Sequence, residues 1–91
     1  MKHTDTKETA KLARRLKIIE GQVRGLIRMV EADTYCIDVI AQTSAVKQAL
    51  SNVEDRLLEN HLNTCVREQM ASGQTKKAVG EVLKVYQLKR K

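Results

Sequence analysis

Residues 35–70 read YCIDVIAQTSAVKQALSNVEDRLLENHLNTCVREQM, a run without a single glycine or proline, and the next glycine comes only at Gly73. Nothing in such a run breaks a helix, so one long helix is predicted from about Tyr35 to Met70. Its apolar residues fall on more than one face: Val46, Leu50, Val53 and Leu57 on one, Ile37, Ala41, Ala45 and Ala49 on another. A helix that is apolar on two sides needs more than one neighbour to cover it.

Upstream, Leu12, Leu16, Ile19, Val23, Leu26 and Val30 are spaced 4, 3, 4, 3 and 4 residues apart, which predicts an amphipathic helix from about Thr6 to Glu31. Asp33 and Thr34 form a short polar break and supply an N-cap candidate for the helix that follows. Downstream, a shorter helix begins near Thr75 and carries Val79, Val82, Leu83 and Tyr86 on one stripe. The reading is all-α, with three helices (long, long, short) in a single domain spanning 1–91. Two antiparallel helices and a short third leave apolar surface on the middle helix exposed, and exposed apolar surface of that extent marks an interface. An obligate helical oligomer is the expected solution; a compact monomeric bundle with a broken second helix is the alternative.

Composition narrows the classes. With only two tyrosines and no Phe, Trp or Pro, the chain is poor material for a β-sandwich or for modules that stack bases on aromatic rings. The longest uncharged stretch, Val39 to Val46, is far too short to span a bilayer, and no apolar signal core opens the chain. A cytoplasmic protein whose two cysteines are reduced thiols is expected.

Lys and Arg number 17 against 11 Asp and Glu, a net charge of +6, and the excess is unevenly placed. Residues 1–30 carry +5, residues 31–75 carry −4, and residues 76–91 carry +5. At about 100° per residue, Arg14, Lys17, Arg24 and Arg28 point away from the apolar stripe of the first helix. Gly21 lies between them, and Arg15 flanks the stripe instead. The ridge spans roughly 21 Å and would suit a line of phosphates. A single helix with such a ridge is ordinarily a solvated face; oligomerisation repeats the ridge and multiplies its charge, which raises the case for DNA. No short helix pair with a glycine turn is present, so no helix-turn-helix is expected.

Three residues carry candidate chemistry: Cys36, His61 and Cys65. His61 and Cys65 are four apart and share a helix face. Cys36 lies about 37 Å away if the run is one helix, so no single chain closes a three-ligand site. Two copies of the helix packed antiparallel about an axis near residues 49 and 50 bring Cys36 of one chain to His61 and Cys65 of the other. The residues around that axis, Val46, Ala49, Leu50 and Val53, are among the apolar ones that require a partner. Two thiols and an imidazole form a soft, three-coordinate set that suits Cu(I), whereas Zn(II) usually takes a fourth ligand. The same thiols would also serve a sensor of sulfur species or oxidants. His3 offers a further nitrogen. Beyond the three ligands there is no nucleophile, base and orienting group together, so an enzyme is not expected.

At these residues the chain resembles the copper-sensitive operon repressor (CsoR) family of bacterial transcription factors. The likeness runs from Arg15-Leu16-Lys17 through Ile19-Glu20-Gly21-Gln22-Val23-Arg24-Gly25 and Tyr35-Cys36-Ile37-Asp38-Val39 into the third helix. The family's Cu(I) pattern is matched by Cys36, His61 and Cys65, and its outer Tyr and Glu by Tyr35 and Glu81. The resemblance implies a dimer of dimers with one Cu(I) per subunit held between subunits. It also implies a metal-free form that binds operator DNA, and release of that DNA by Cu(I) so that copper-export genes are expressed. Glu81 would accept a hydrogen bond from the His61 N–H that does not face the metal. Arg15 matches a DNA-binding position of the family, with Arg14, Lys17, Arg24 and Arg28 as supporting phosphate contacts. One departure is Asn52, where some copper-sensing members carry a basic residue. A cysteine at position 65 disfavours nickel. A thiol-based repressor of the same fold and a cytosolic copper buffer remain as alternatives.

Overall fold

A computed structural model describes residues 6–90, and among these every regular element is helical. Helix α1 spans Thr6–Glu31 and α2 spans Cys36–His61; a π-helical turn follows at Leu62–Val66, then α3 at Arg67–Ala71 and α4 at Thr75–Lys89. The long, long, short layout is therefore present, with both long helices starting within a residue of the positions expected.

The continuous helix expected up to Met70 is instead interrupted at Leu62–Val66, where the helix widens by one residue. Thr64 supplies a local reason. Its hydroxyl donates to the Asn60 carbonyl at 2.7 Å, competing with the amide that an α-helix would place there. Asp33 also plays a different part from the N-cap expected of it. It adopts φ 57° and closes α1: the Thr34 N–H donates to Met29 O at 3.0 Å and the Asp33 N–H to Val30 O at 3.1 Å. The residue that caps α2 is Tyr35, and its side chain makes no capping bond. Gly73 ends α3 in the same manner as Asp33 ends α1, at φ 81°, where glycine is at ease; the Gln74 N–H reaches back to Gln69 O at 2.6 Å.

α1 and α2 pack side by side as an antiparallel pair around Leu12, Ile19, Val46 and Val53, with Leu26 and Ala49 against them. On α1 the buried positions are seven apart, 12, 19 and 26, so only half of the apolar stripe meets α2. Leu16, Val23 and Val30, the other half, are exposed. On α2, Ile37 and Ile40 are 60% and 61% exposed, and Leu50 and Leu57 are also uncovered. The two faces expected of α2 are each divided: Val46 and Val53 are buried against α1 with Ala49 beside them, while Leu50, Leu57, Ile37, Ala41 and Ala45 stay exposed. Of the four residues expected around a dimer axis only Leu50 is therefore uncovered, because α1 of the same chain covers the other three.

α4 folds back over α3 and the π turn, burying Ala78. Its last turn is tied to α2 by Lys89, whose ammonium donates to Ser51 Oγ at 3.1 Å and pairs with Glu54 at 3.2 Å and Asp55 at 3.0 Å. Val79, Leu83 and Tyr86 of α4 face outward. The chain extends 55 × 30 × 13 Å with a radius of gyration of 17.2 Å, against about 12 Å for a compact domain of this length. It is one helix thick, which is why so few side chains are buried. Among the described residues, no helix is long and apolar enough to cross a membrane.

Candidate functional site

The three ligand candidates occupy the two ends of the second helical run. Cys36 is the first residue of α2 and is exposed; His61 is its last residue, and Cys65 lies within the π turn that follows. Both cysteines are free thiols. With α2 unbroken between them, Cys36 and His61 are about 37 Å apart along the axis. Among the described residues no group of three or more His, Cys, Asp or Glu side chains converges within one chain.

At the His61 end, Thr64 is held by its bond to Asn60 and places its Oγ1 3.8 Å from the Cys65 sulfur. The π turn thus begins directly after one candidate ligand and contains the other. It was not legible from periodicity; Asn63-Thr64, two residues that compete for backbone hydrogen bonds in mid-helix, is the local signal for it.

Tyr35 stands at the opposite end beside Cys36, 71% exposed. Glu81 lies on α4, and its Oε1 accepts a hydrogen bond from Gln69 Nε2 at 3.0 Å. Its observed partner within the chain is therefore Gln69 of α3, a residue the sequence reading did not single out. Gln69 lies eight positions after His61, about two helical turns further on.

The basic residues behave unequally. Arg14, Lys17 and Arg28 lie on the exposed face of α1. Arg24 pairs with Glu20 one turn earlier at 3.4 Å, both side chains being well exposed. Arg15 sits apart from them, at a groove of about 260 Å³ between α1 and α2 lined by Ile18, Ile19, Gln22, Ala49 and Asn52. Asn52 accepts a hydrogen bond from Gln48 Nε2 at 3.0 Å. His3 lies outside the described residues.

Between this groove and His61, α1 is joined to α2 by Glu8 and Arg56, whose guanidinium donates through Nε to Oε1 and through Nη2 to Oε2, the latter at 3.4 Å. Arg56 and Asn60 together hold the Glu8 carboxyl below its ordinary pKa, the Arg56 hydrogen bond being the largest cause. Glu8 in turn raises the pKa of Arg56.

Comparison with known proteins gives a consistent result. The profile of the metal-sensitive transcriptional repressor family matches residues 8–87. The copper-sensing transcriptional repressor CsoR of Bacillus subtilis is 45% identical over 86 residues, which cover 94% of this chain and 85% of that protein. The copper-sensing transcriptional repressor RicR of Mycobacterium tuberculosis is 49% identical over 71 residues, 78% of this chain and 74% of that one. In three dimensions the chain is similar to the copper-sensing repressor CsoR with Cu(I) from Geobacillus thermodenitrificans. The TM-score is 0.89 and the identity 40%, over 97% of this chain and 92% of the other. With its helical layout and a family match across nearly its whole length, the chain belongs to the metal-sensitive transcriptional repressors.

Proposed function

We infer that this protein is a Cu(I)-responsive transcriptional repressor acting in the cytoplasm: metal-free, it binds operator DNA, and Cu(I) releases it so that copper-efflux genes are expressed. The observation that carries the reading is the presence of Cys36, His61 and Cys65 together in a chain 45% identical to a copper-sensing repressor. The donor set fits the metal. Two sulfurs and one imidazole are the soft, low-coordinate ligands that Cu(I) takes.

The ligands belong to two subunits in this reading, Cys36 from one and His61 with Cys65 from another, one Cu(I) per subunit in a dimer of dimers. Support comes from the separation of Cys36 and His61 along a straight helix and from the exposed apolar face between them. Bound Cu(I) supplies a soft bridge between the two chains. The chain's own residues do the rest: His61 leaves one ring nitrogen for a hydrogen-bond acceptor, Glu81 offers that acceptor from α4, and Tyr35 stands beside Cys36. Arg15, with Arg14, Lys17 and Arg28, meets DNA phosphates from α1. Metal and DNA then oppose each other through a coupling that is equal in both directions.

An anaerobic titration of the reduced protein against a calibrated Cu(I) chelator tests the reading. One Cu(I) per chain is expected, lost in Cys36→Ala. Affinity for a duplex taken from immediately upstream of the protein's own coding sequence should fall roughly 5- to 150-fold on loading. A protein that fails to compete for Cu(I) would overturn it.

A further inference from the structure

Glu8 and Arg56 are 48 positions apart in sequence and form a two-pronged ion pair between the first turn of α1 and the later part of α2. The Glu8 side chain is only 15% exposed and that of Arg56 38%, whereas the Arg24–Glu20 pair on the outer face of α1 is 61% and 67% exposed. Water therefore screens the Glu8–Arg56 pair less.

Its position is informative. Arg56 precedes His61 by five residues, about 7.5 Å along α2, and Glu8 precedes Arg15 by seven, about 10.5 Å along α1. Asn60, four residues after Arg56, accepts the Thr64 hydroxyl with its carbonyl, and that bond belongs to the π turn containing Cys65. One turn of α2 therefore separates the clamp from the turn that carries the candidate ligands.

The packed core between α1 and α2 is apolar, through Leu12, Ile19, Val46 and Val53. Such contacts are non-directional and tolerate small shifts of one helix along another. A guanidinium–carboxylate fork has a fixed geometry and does not. Between these helices the fork is therefore the contact whose geometry suits passing a displacement near His61 on to α1.

We propose that Glu8 and Arg56 are positioning residues that transmit the state of the His61–Cys65 turn to the basic face of α1. The proposal rests on the copper-responsive reading above and adds the route by which the metal site reaches the DNA-facing helix.

Hydrogen exchange of the full-length reduced protein, with and without Cu(I) alone, tests it without any operator. In the wild type, Cu(I) should change exchange around Cys36, His61 and Cys65 and also along α1. In Glu8→Lys and in Arg56→Glu, Cu(I) affinity should stay within about threefold, while the change along α1 falls to under about a third of its size. The double swap Glu8→Lys with Arg56→Glu restores the pair in reverse and should restore the α1 response. If either reversal unfolds the chain, Glu8→Gln and Arg56→Gln replace it, judged by the same ratio. An α1 response as large in the single variants as in the wild type overturns the link. So does wild-type protein in which Cu(I) protects the ligand segments and leaves α1 untouched. Wild-type protein that shows no exchange change at all with Cu(I) overturns the copper reading, and the link with it.

Discussion

Gln69 Nε2 donates to Glu81 Oε1 at 3.0 Å, joining α3 to α4, while the other end of the same amide, Gln69 Oε1, is buried without a partner. The carboxylate proposed to serve His61 is thus already oriented by a neighbour, with one oxygen engaged and its Oε2 on the other side of the group.

This pairing makes the two single substitutions unequal. Glu81→Ala removes an exposed bond and leaves the Gln69 Nε2 to water, which should cost under about 1 kcal/mol, whereas Gln69→Met removes the same bond together with the buried, unpaired Oε1 and should cost less still or stabilise. Urea denaturation of both variants gives the order directly. The reverse order would overturn the account of Oε1 as a buried oxygen without a partner.

Acid should weaken the grip of α1 on α2. Arg56 holds the Glu8 carboxyl below its ordinary 4.5, so the pair's contribution is fully present above that value and disappears as pH falls through the lowered one. The Tm difference between wild type and Glu8→Gln should be constant near neutrality and shrink towards zero in acid. At the other end of the scale, Asp55 and Glu54 raise the Lys89 pKa above its ordinary 10.5. That tie is complete below the ordinary value and is lost as pH rises through the raised one, so Lys89→Met should differ from wild type at pH 8 and converge with it in strong alkali.

A site shared between subunits can be rebuilt from two broken chains. In the proposed arrangement Cys36→Ala and Cys65→Ala would each lack an intact set, yet a mixed dimer would hold one complete set, Cys36 from one chain and His61 with Cys65 from the other. Refolding an equimolar mixture should recover tight Cu(I) binding at about a quarter of the wild-type stoichiometry, the share expected of random symmetric pairing. No recovery on mixing would place the ligands within one chain.

The basic residues of α1 should separate by partner. Arg24 already pairs with Glu20, whereas Arg15 borders the groove between the long helices. Arg15→Ala should weaken DNA binding and lower the salt slope of affinity by about 1, the effect of losing one phosphate contact, and Arg24→Ala should do less. Anisotropy titrations at several salt concentrations would measure both slopes.

Much of this molecule is legible in the sequence because its instructions are local. Heptad-like spacing sets α1, the absence of glycine and proline carries the second run, and Gly73 stops it where a left-handed residue is required. The donor types and their separation along the run are equally plain, since rise per residue converts sequence distance into length. That α2 carries apolar residues beyond what one neighbour covers is readable for the same reason; which of them α1 buries is not.

What only the tertiary structure decided are the matters that depend on two segments meeting. The crossing of α1 on α2 selects Leu12, Ile19 and Leu26 for burial and leaves Leu16, Val23 and Val30 outside, although all six satisfy the same periodicity. Glu8 finds Arg56 48 residues away, Lys89 finds Ser51, Glu54 and Asp55, and Glu81 finds Gln69. None of these has a local signature, because a charged or amide side chain on a helix surface is equally at home in water until a neighbouring element arrives. The π turn at Leu62–Val66 lies between the two cases. Thr64 supplies a local reason through its bond to Asn60, and α4 packs against the turn from elsewhere in the chain.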